Sequence, residues 1–375
     1  MPEREYMSDF EKICDFANLM EAAHACGNGV RWKASVQAFD ITRLRQCARL
    51  KKQLENGTYK SKGFHEFTIN ERGKTRRIQS VHISERCVQK SLCNNVMKPE
   101  IVPKLVYDNA ASLKGKGTEF ALNRLKCHLE RHYRKHGLKG GILTMDFKNY
   151  FGNISHEILL LKLHSTFTDE KVYDFLKQFV TAFDEGLGLG SEISQISAIY
   201  FPNELDHLIK ERLHIKGYGR YMDDSYLLDE SIDHLRYCLT EIEKTCDKYG
   251  IVINRKRTTI TPVSKCFVYL KKRVRLQPNG RVSMRIVRKN ITARRRKLKA
   301  QHRAYLEGKL TMATIAQSYQ SWRGYAKQYD SYHTLKDMDK LYHELFGVWP
   351  ERKRKNGRRS IKGSKGNERA NQRAR

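Results

Sequence analysis

Hydrophobic residues along this chain repeat with two periods, and elements change where one period gives way to the other. Over residues 34–54 the apolar positions fall three and four apart in a basic stretch. That pattern predicts one amphipathic helix, stopped at Asn56-Gly57. Residues 64–69 and 76–81 read as two short strands around a polar turn, Asn70-Glu71-Arg72-Gly73-Lys74. The helical period returns over 84–97 and is expected to end at Pro99. A Gly/Lys loop, Ala111-Ser112-Leu113-Lys114-Gly115-Lys116-Gly117, then opens onto a helical stretch at 118–136, with Thr118 as its expected N-cap.

Strand and helix alternate after that. Gly141-Ile142-Leu143-Thr144-Met145 is a short apolar strand ending in Asp146, and Ser155 is placed to cap a helix carrying Ile158, Leu159, Leu160 and Leu163. Beyond the glycine-rich stretch 186–190, a long helix is expected from near Ser194. Residues 218–228 predict a hairpin with Asp223-Asp224 at its tip, and 235–249 a helix ended by Gly250. Asn279-Gly280 marks the turn of one of two further strand pairs. From Thr292 onward the pattern is helical and basic. Beyond Pro350 nearly every residue is Lys, Arg, Gly, Ser or Asn, and that tail is expected to stay disordered until it meets an anion. No internal repeat is visible, and 375 residues leave room for two or three domains.

Charge narrows the class of partner. Lys and Arg number 72 against 41 Asp and Glu, a formal net charge of +31. A small-molecule enzyme has no need of that excess; it points to a polyanion, of which nucleic acid is the commonest. No apolar run approaches the ~20 residues of a membrane helix, and no apolar leader follows Met1. The expectation is a cytoplasmic protein with no membrane partner. Nine cysteines, without a C-x-x-C pair, fit an intracellular protein that buries them as small hydrophobes. Cys127, His128, His132 and His136 share helical spacing that in principle suits a metal. The helix is saturated with cations and supplies no complete ligand set, so the preferred reading is a solvated or RNA-facing basic face.

The informative constellation is Asp146 at one strand end together with Asp223 and Asp224 in Tyr221-Met222-Asp223-Asp224. Like charges ~4 Å apart repel by roughly 4 kcal/mol at an effective dielectric of 20. A divalent cation removes that penalty, and hard Mg²⁺ prefers carboxylate oxygens and substrate phosphates. Three carboxylates suffice for two metals ~3.5–4 Å apart, the arrangement that activates a 3′-hydroxyl and stabilises leaving pyrophosphate. The competing reading, a polar hairpin turn, loses weight here because the turn has apolar flanks, a second strand-end Asp and a strongly basic chain around it.

In this order, Asp146-Phe147-Lys148-Asn149-Tyr150-Phe151, Gly190-Ser191-Glu192-Ile193-Ser194-Gln195 and Tyr221-Met222-Asp223-Asp224 resemble the palm motifs of reverse transcriptases. The resemblance runs over about residues 54–332. It implies an α+β right-hand polymerase with fingers, a palm made of a small antiparallel sheet backed by helices, and a helical thumb. The implied division is an N-terminal helical extension at 1–56, fingers at 57–140, palm at 141–284, thumb at 285–349 and a basic tail at 350–375.

The resemblance also implies roles. Asp146, Asp223 and Asp224 are the catalytic, metal-binding carboxylates for two Mg²⁺ ions, with Mn²⁺ as the alternative. Phe151 matches the steric gate that favours deoxynucleotides; a core phenylalanine is the competing reading. Ser194, Gln195 and Tyr221 match segments lying against template and nascent base pair. Lys74, Arg76 and Arg77 match fingers cations that clamp the incoming triphosphate, and Arg86 a further fingers position. Lys114 and Lys116 lie in what resembles a fingers loop approaching nucleic acid. Asn254-Arg255-Lys256-Arg257-Thr258 resembles the motif usually read Asn-x-x-Lys-Thr, with Arg257 where the lysine is expected. Lys256 beside it is the better acid, so it is assigned to the nucleotide. Cys266-Phe267-Val268-Tyr269-Leu270 resembles the primer grip, and Ser321-Trp322-Arg323-Gly324-Tyr325 the thumb segment tracking the duplex; Trp322 and Tyr325 read equally as thumb core.

Gly-Ser-Glu-Ile-Ser-Gln at 190–195 and Ser-Trp-Arg-Gly-Tyr at 321–325 resemble the enzymes of diversity-generating retroelements, which copy a dedicated template RNA with an accessory protein. Bacterial phage-defence reverse transcriptases, which use a non-coding RNA, share these features and remain the alternative. The expected partners are an RNA template, a DNA or RNA primer duplex and dNTPs, in a bacterial or phage-encoded protein. A non-catalytic RNA-binding scaffold is the reading from another class, and the intact carboxylate set weighs against it.

Overall fold

The computed structural model describes residues 7–71 and 74–350, and in these the chain divides into two compact units, one up to Arg285 and one from Ile286. The first unit opens with four helices: α1 (Asp9–Cys14), α2 (Phe16–Cys26), α3 (Ala34–Ile41) and α4 (Arg43–Glu55). The single helix expected over 34–54 is therefore two. At Thr42 the backbone leaves the helical region (φ −105°, ψ 18°), and its hydroxyl donates to the Ala38 carbonyl. A threonine that bonds its own preceding turn competes with the helix ladder, and here it breaks it.

Strands β1 (Phe64–Glu71) and β2 (Lys74–Val81) form an antiparallel hairpin running from Phe64↔Val81 to Glu71↔Lys74. Next comes α5 (Ile83–Leu92), a π-helical turn over Cys93–Met97, and α6 (Lys98–Ile101). Pro99 does not end the helical path as expected. It sits in the first turn of α6, where a missing N–H costs nothing. In α7 (Thr118–His136) the N-cap is Gly117, at φ 147°, and Thr118 is already helical.

The centre of the first unit is an antiparallel sheet ordered β4-β5-β3-β6, built from β3 (Gly141–Asp146), β4 (Gly217–Tyr221), β5 (Asp224–Asp229) and β6 (Thr259–Pro262). Every residue of β3 is buried, which explains why its mainly apolar sequence shows no alternation. Pro262 closes the edge strand, where its missing donor is tolerated. Between β3 and β4 lie α8 (His156–Thr166), capped by Ser155, α9 (Glu170–Thr181), α10 (Glu192–Tyr200) and α11 (Asn203–His207). The long helix expected from Ser194 begins at Glu192, capped by Ser191, and breaks at Pro202. Helix α12 (Ile232–Lys248) packs on the sheet through Leu235, Cys238, Ile242 and Cys246. Seven of the nine cysteines are buried as free thiols.

A second sheet, ordered β7-β8-β9, comprises β7 (Phe267–Tyr269), β8 (Lys272–Leu276) and β9 (Val282–Ile286), with Asn279-Gly280 in the β8–β9 turn. In the second unit, α13 (Arg288–Leu306), α14 (Met312–Ala326) and α15 (Tyr332–Phe346) enclose Leu298, Ile315, Tyr319, Met338 and Tyr342. Among the described residues no helix is long and apolar enough to cross a membrane. The basic tail beyond Pro350 lies outside the described residues.

Candidate active site

Three chain segments converge where β3 ends. On one side, strand register sets Asp146 directly opposite Asp224. The turn before Asp224 folds back so that the Asp223 carbonyl accepts the Phe147 N–H at 3.2 Å. On the other side, the chain entering β6 runs beside residues 146–148: Lys148 N–H donates to the Val252 carbonyl at 2.7 Å, and Asn254 N–H to the Asp146 carbonyl at 2.8 Å. Asn254 adds a side-chain bond, Nδ2 donating to Asp146 Oδ2 at 2.8 Å. Asp146, 3% exposed, is thus held by backbone and side chain together. This segment also delivers Arg257, whose Nη1 lies 2.7 Å from Asp146 Oδ1 and whose Nη2 lies 3.4 Å from Asp224 Oδ1.

The electrostatics follow from this crowding. Burial, then the Asp223 charge beside it, push Asp224 up to about 7, with Arg257 opposing the rise. Among the described residues no three His, Cys, Asp or Glu side chains are gathered into a metal-holding cluster. The donor chemistry still suits a hard divalent ion: carboxylates on adjacent strands, crowded enough that added positive charge is favourable, and a single cation already spanning two of them. Arg257 fills that cationic role as a guanidinium, and it keeps its charge at any working pH.

Behind the turn sits a fully buried ion pair. Arg220 and Asp206 are both 0% exposed. Arg220 Nε and Nη2 donate to the two Asp206 oxygens at 2.8 and 2.6 Å, Nη2 also reaches the Ile199 carbonyl at 2.8 Å, and Nη1 reaches the Met222 carbonyl at 3.2 Å. Tyr218 adds its hydroxyl to Asp206 at 2.6 Å. Met222 has φ 56°, a left-handed value that costs a non-glycine residue about 1 kcal/mol or more. The Arg220 bond to its carbonyl holds the turn in that shape. Arg220 did not stand out in sequence, and Asn254 did so only as the first residue of its motif; its bond to Asp146, 108 residues away, is a contact made by the fold.

Other residues singled out in sequence are placed as follows. Phe151 is half-buried in a 3₁₀ turn, its carbonyl accepting the Leu187 N–H at 2.7 Å. Gly186, at φ 58°, passes so close that an added Cβ would stand 2.3 Å from that oxygen. Ser194 is buried in the first turn of α10, whereas Gln195 is exposed and accepts from Ser112 Oγ at 3.1 Å, which brings the Gly/Lys loop to α10. Tyr221 is half-buried against the core, Lys114 is exposed, and Lys256 is exposed while Arg257 takes the place by the carboxylates.

Three cations are engaged by the protein itself. Lys116 donates to the Tyr107 and Asn109 carbonyls at 2.7 and 3.0 Å and lies over the Tyr107 and Phe120 rings, an arrangement that orders the loop. Arg77 pairs across the hairpin with Glu66 at 2.5 Å. Arg323, 7% exposed, pairs with Asp339 at 2.8 Å and ties α14 to α15. Trp322 packs on that same helical core. The backbone of Lys74 and Arg76 lies in β2, but their side chains fall outside the described residues.

A family model described as "Reverse transcriptase (RNA-dependent DNA polymerase)" matches residues 60–274. No curated protein matches the chain. Among solved structures, telomerase from Candida albicans in complex with a fragment of telomeric RNA is similar at 12% identity and a TM-score of 0.46, over 76% of this chain and 61% of that one. Apo telomerase from Candida tropicalis is similar at 12% identity and a TM-score of 0.48, over 77% and 63%. The chain therefore spans about three fifths of the telomerase chains it matches.

Proposed function

The chain belongs to the reverse transcriptase family, and from that premise we propose that it is an RNA-directed DNA polymerase whose catalytic carboxylates are Asp146, Asp223 and Asp224. The observation that carries the reading is the register that sets Asp146 opposite Asp224 at the strand ends, with Asp223 beside them and one cation bridging the pair. Two divalent ions held there would supply activation of the primer 3′-hydroxyl and charge neutralisation of departing pyrophosphate. The protein's part is positional. Asn254 aims Asp146, and the Arg220–Asp206 pair fixes the turn that presents Asp223 and Asp224. Arg257 acts as a charge and not as a proton donor, because a guanidinium does not give up its proton in proteins. Phe151 serves as the gate against a ribose 2′-hydroxyl, and Gln195 as the exposed side chain of its segment toward the template. Residues 57–140, 141–284 and 285–349 serve as fingers, palm and thumb.

The narrower reading is an enzyme of a diversity-generating retroelement, working in the cytoplasm with a dedicated template RNA and an accessory protein. Its support is the Gly-Ser-Glu-Ile-Ser-Gln string at 190–195. Genomic neighbours test it: a template and variable repeat support it, and a non-coding RNA among defence genes replaces it with antiviral synthesis. The test of polymerisation itself is primer extension on an RNA template with Mg²⁺ and dNTPs, wild type beside Asp223→Ala/Asp224→Ala. Extension by both proteins alike would remove the site assignment.

A further inference from the structure

Helix α7 carries the Cys127, His128, His132 and His136 set, and the structure gives it a role other than metal binding. His128 Nδ1 meets the Tyr226 hydroxyl at 2.9 Å, His132 Nε2 donates to the Lys139 carbonyl at 2.7 Å, and Cys127 is exposed. The rings instead line a cavity of about 360 Å³ between α7, the segment leading into β4 and the end of β5. Arg131 and Lys135 enter it from α7, and Lys216 from the β4 segment. All three are exposed and have no ion-pair partner among the described residues. Two acids also line its wall, Glu230 within 2.8 Å of His136 and Asp229 within 3.3 Å of His234, so the lining carries three cations against two carboxylates.

The cavity is remote from the carboxylate site. It meets β5 at Asp229, whereas the candidate active site lies at Asp224, five residues or roughly 17 Å along the same strand. Arg131 and Lys135 stand one helical turn apart, about 6 Å along α7. That repeat is close to the spacing of successive phosphates on an RNA strand. Exposed cations held in no ion pair, at strand-like spacing on an open cavity, are the chemistry of backbone recognition.

We propose that this cavity binds consecutive backbone phosphates of a structured RNA, as a second nucleic-acid site separate from the carboxylate centre. The inference goes beyond polymerisation and is measurable without it. The full chain is titrated against a fluorescein-labelled RNA hairpin by anisotropy, with no metal and no nucleotides, beside Arg131→Gln/Lys216→Gln. Both side chains are exposed, so thermal unfolding of the variant should match wild type and certify its fold. Losing two phosphate contacts at a duplex salt slope of about −0.9 each should weaken binding roughly 60-fold near 0.1 M salt. It should also flatten the slope of log K against log salt by about 1.8. Affinity for a short DNA primer on an RNA template, too small to reach past the cleft, should be unchanged. Wild-type affinity and slope for the hairpin would overturn the proposal, as would an equal loss on the short primer–template. Displacement of the hairpin by inorganic phosphate at matched ionic strength would also overturn it, marking a pocket for free anions.

Discussion

Replacing Arg220 by methionine removes one half of an ion pair that has no solvent to fall back on. Both partners are 0% exposed, and the loss leaves the Asp206 carboxylate with the Tyr218 hydroxyl as its one remaining donor among the bonds described. Breaking a buried pair from one side costs about 3–5 kcal/mol, a large share of the 5–15 kcal/mol that typically holds a domain together. Asp206→Leu strands the guanidinium and should cost a similar amount. The double variant buries no charge; what it loses is mainly the partner of Tyr218, about 1–3 kcal/mol. The singles would therefore sum to roughly 6–10 kcal/mol, and the double should fall several kcal/mol short of that sum. Urea unfolding followed by circular dichroism reads the three values. Arg220→Lys keeps the charge but not the fork, and should fall between wild type and Arg220→Met. An Arg220→Met protein within about 1 kcal/mol of wild type would refute the reasoning, as would costs that simply add.

Two further outcomes follow from the electrostatics. Arg257→Gln removes the cation that spans Asp146 and Asp224, so Mn²⁺ measured by calorimetry above pH 8 should bind about two- to fivefold more tightly, the scale of a half-exposed ion pair; unchanged or weaker binding would contradict the competition. Burial lowers His128 to about 4 from its ordinary 6.5, so the folded protein keeps this ring neutral while the unfolded chain protonates it. Stability from His128 is complete above about 6.5 and drains away as pH falls toward 4, by up to roughly 3 kcal/mol. The His128→Gln protein should lose less stability over that range than wild type in parallel urea titrations, and equal losses would assign the effect elsewhere.

What sequence reveals depends on whether the determinant is local. Ser155 caps α8, Gly250 follows α12 with φ 65°, and Asn279-Gly280 turns β8 into β9, each a signal contained within a few residues. The mainly apolar run of β3 ending in Asp146 was legible for the same reason, and the ordered motifs around it identified the family. Thr42 broke an otherwise continuous helical period through one side-chain bond to Ala38, which no periodicity reports. Pro99 was misread because the π-helical turn before it places it in a first turn instead of an interior one. In the site, the carboxylates were legible as a set. The choice of Arg257 over Lys256, and the contribution of Asn254, depend on contacts with residues distant in the chain; Arg220 acts on Met222 two residues on, but through a buried pair with Asp206 that residue type alone does not announce. Lys116 and Arg323 carry charges that sequence assigns to a nucleic-acid ligand, yet their partners are the protein's own carbonyls and Asp339. A basic residue type alone does not tell an outward charge from an inward one.

The central claim is that Asp146, Asp223 and Asp224 drive RNA-directed DNA synthesis. The measurement that meets it most directly is extension of a DNA primer on an RNA template with Mg²⁺ and dNTPs, with RNA co-purified from the native host in a parallel reaction. The account predicts extension by the wild-type chain and none by Asp223→Ala/Asp224→Ala, with RNA binding by the variant retained. Extension by the variant at the wild-type rate would contradict it, as would wild-type protein that binds its RNA and extends nothing in either reaction.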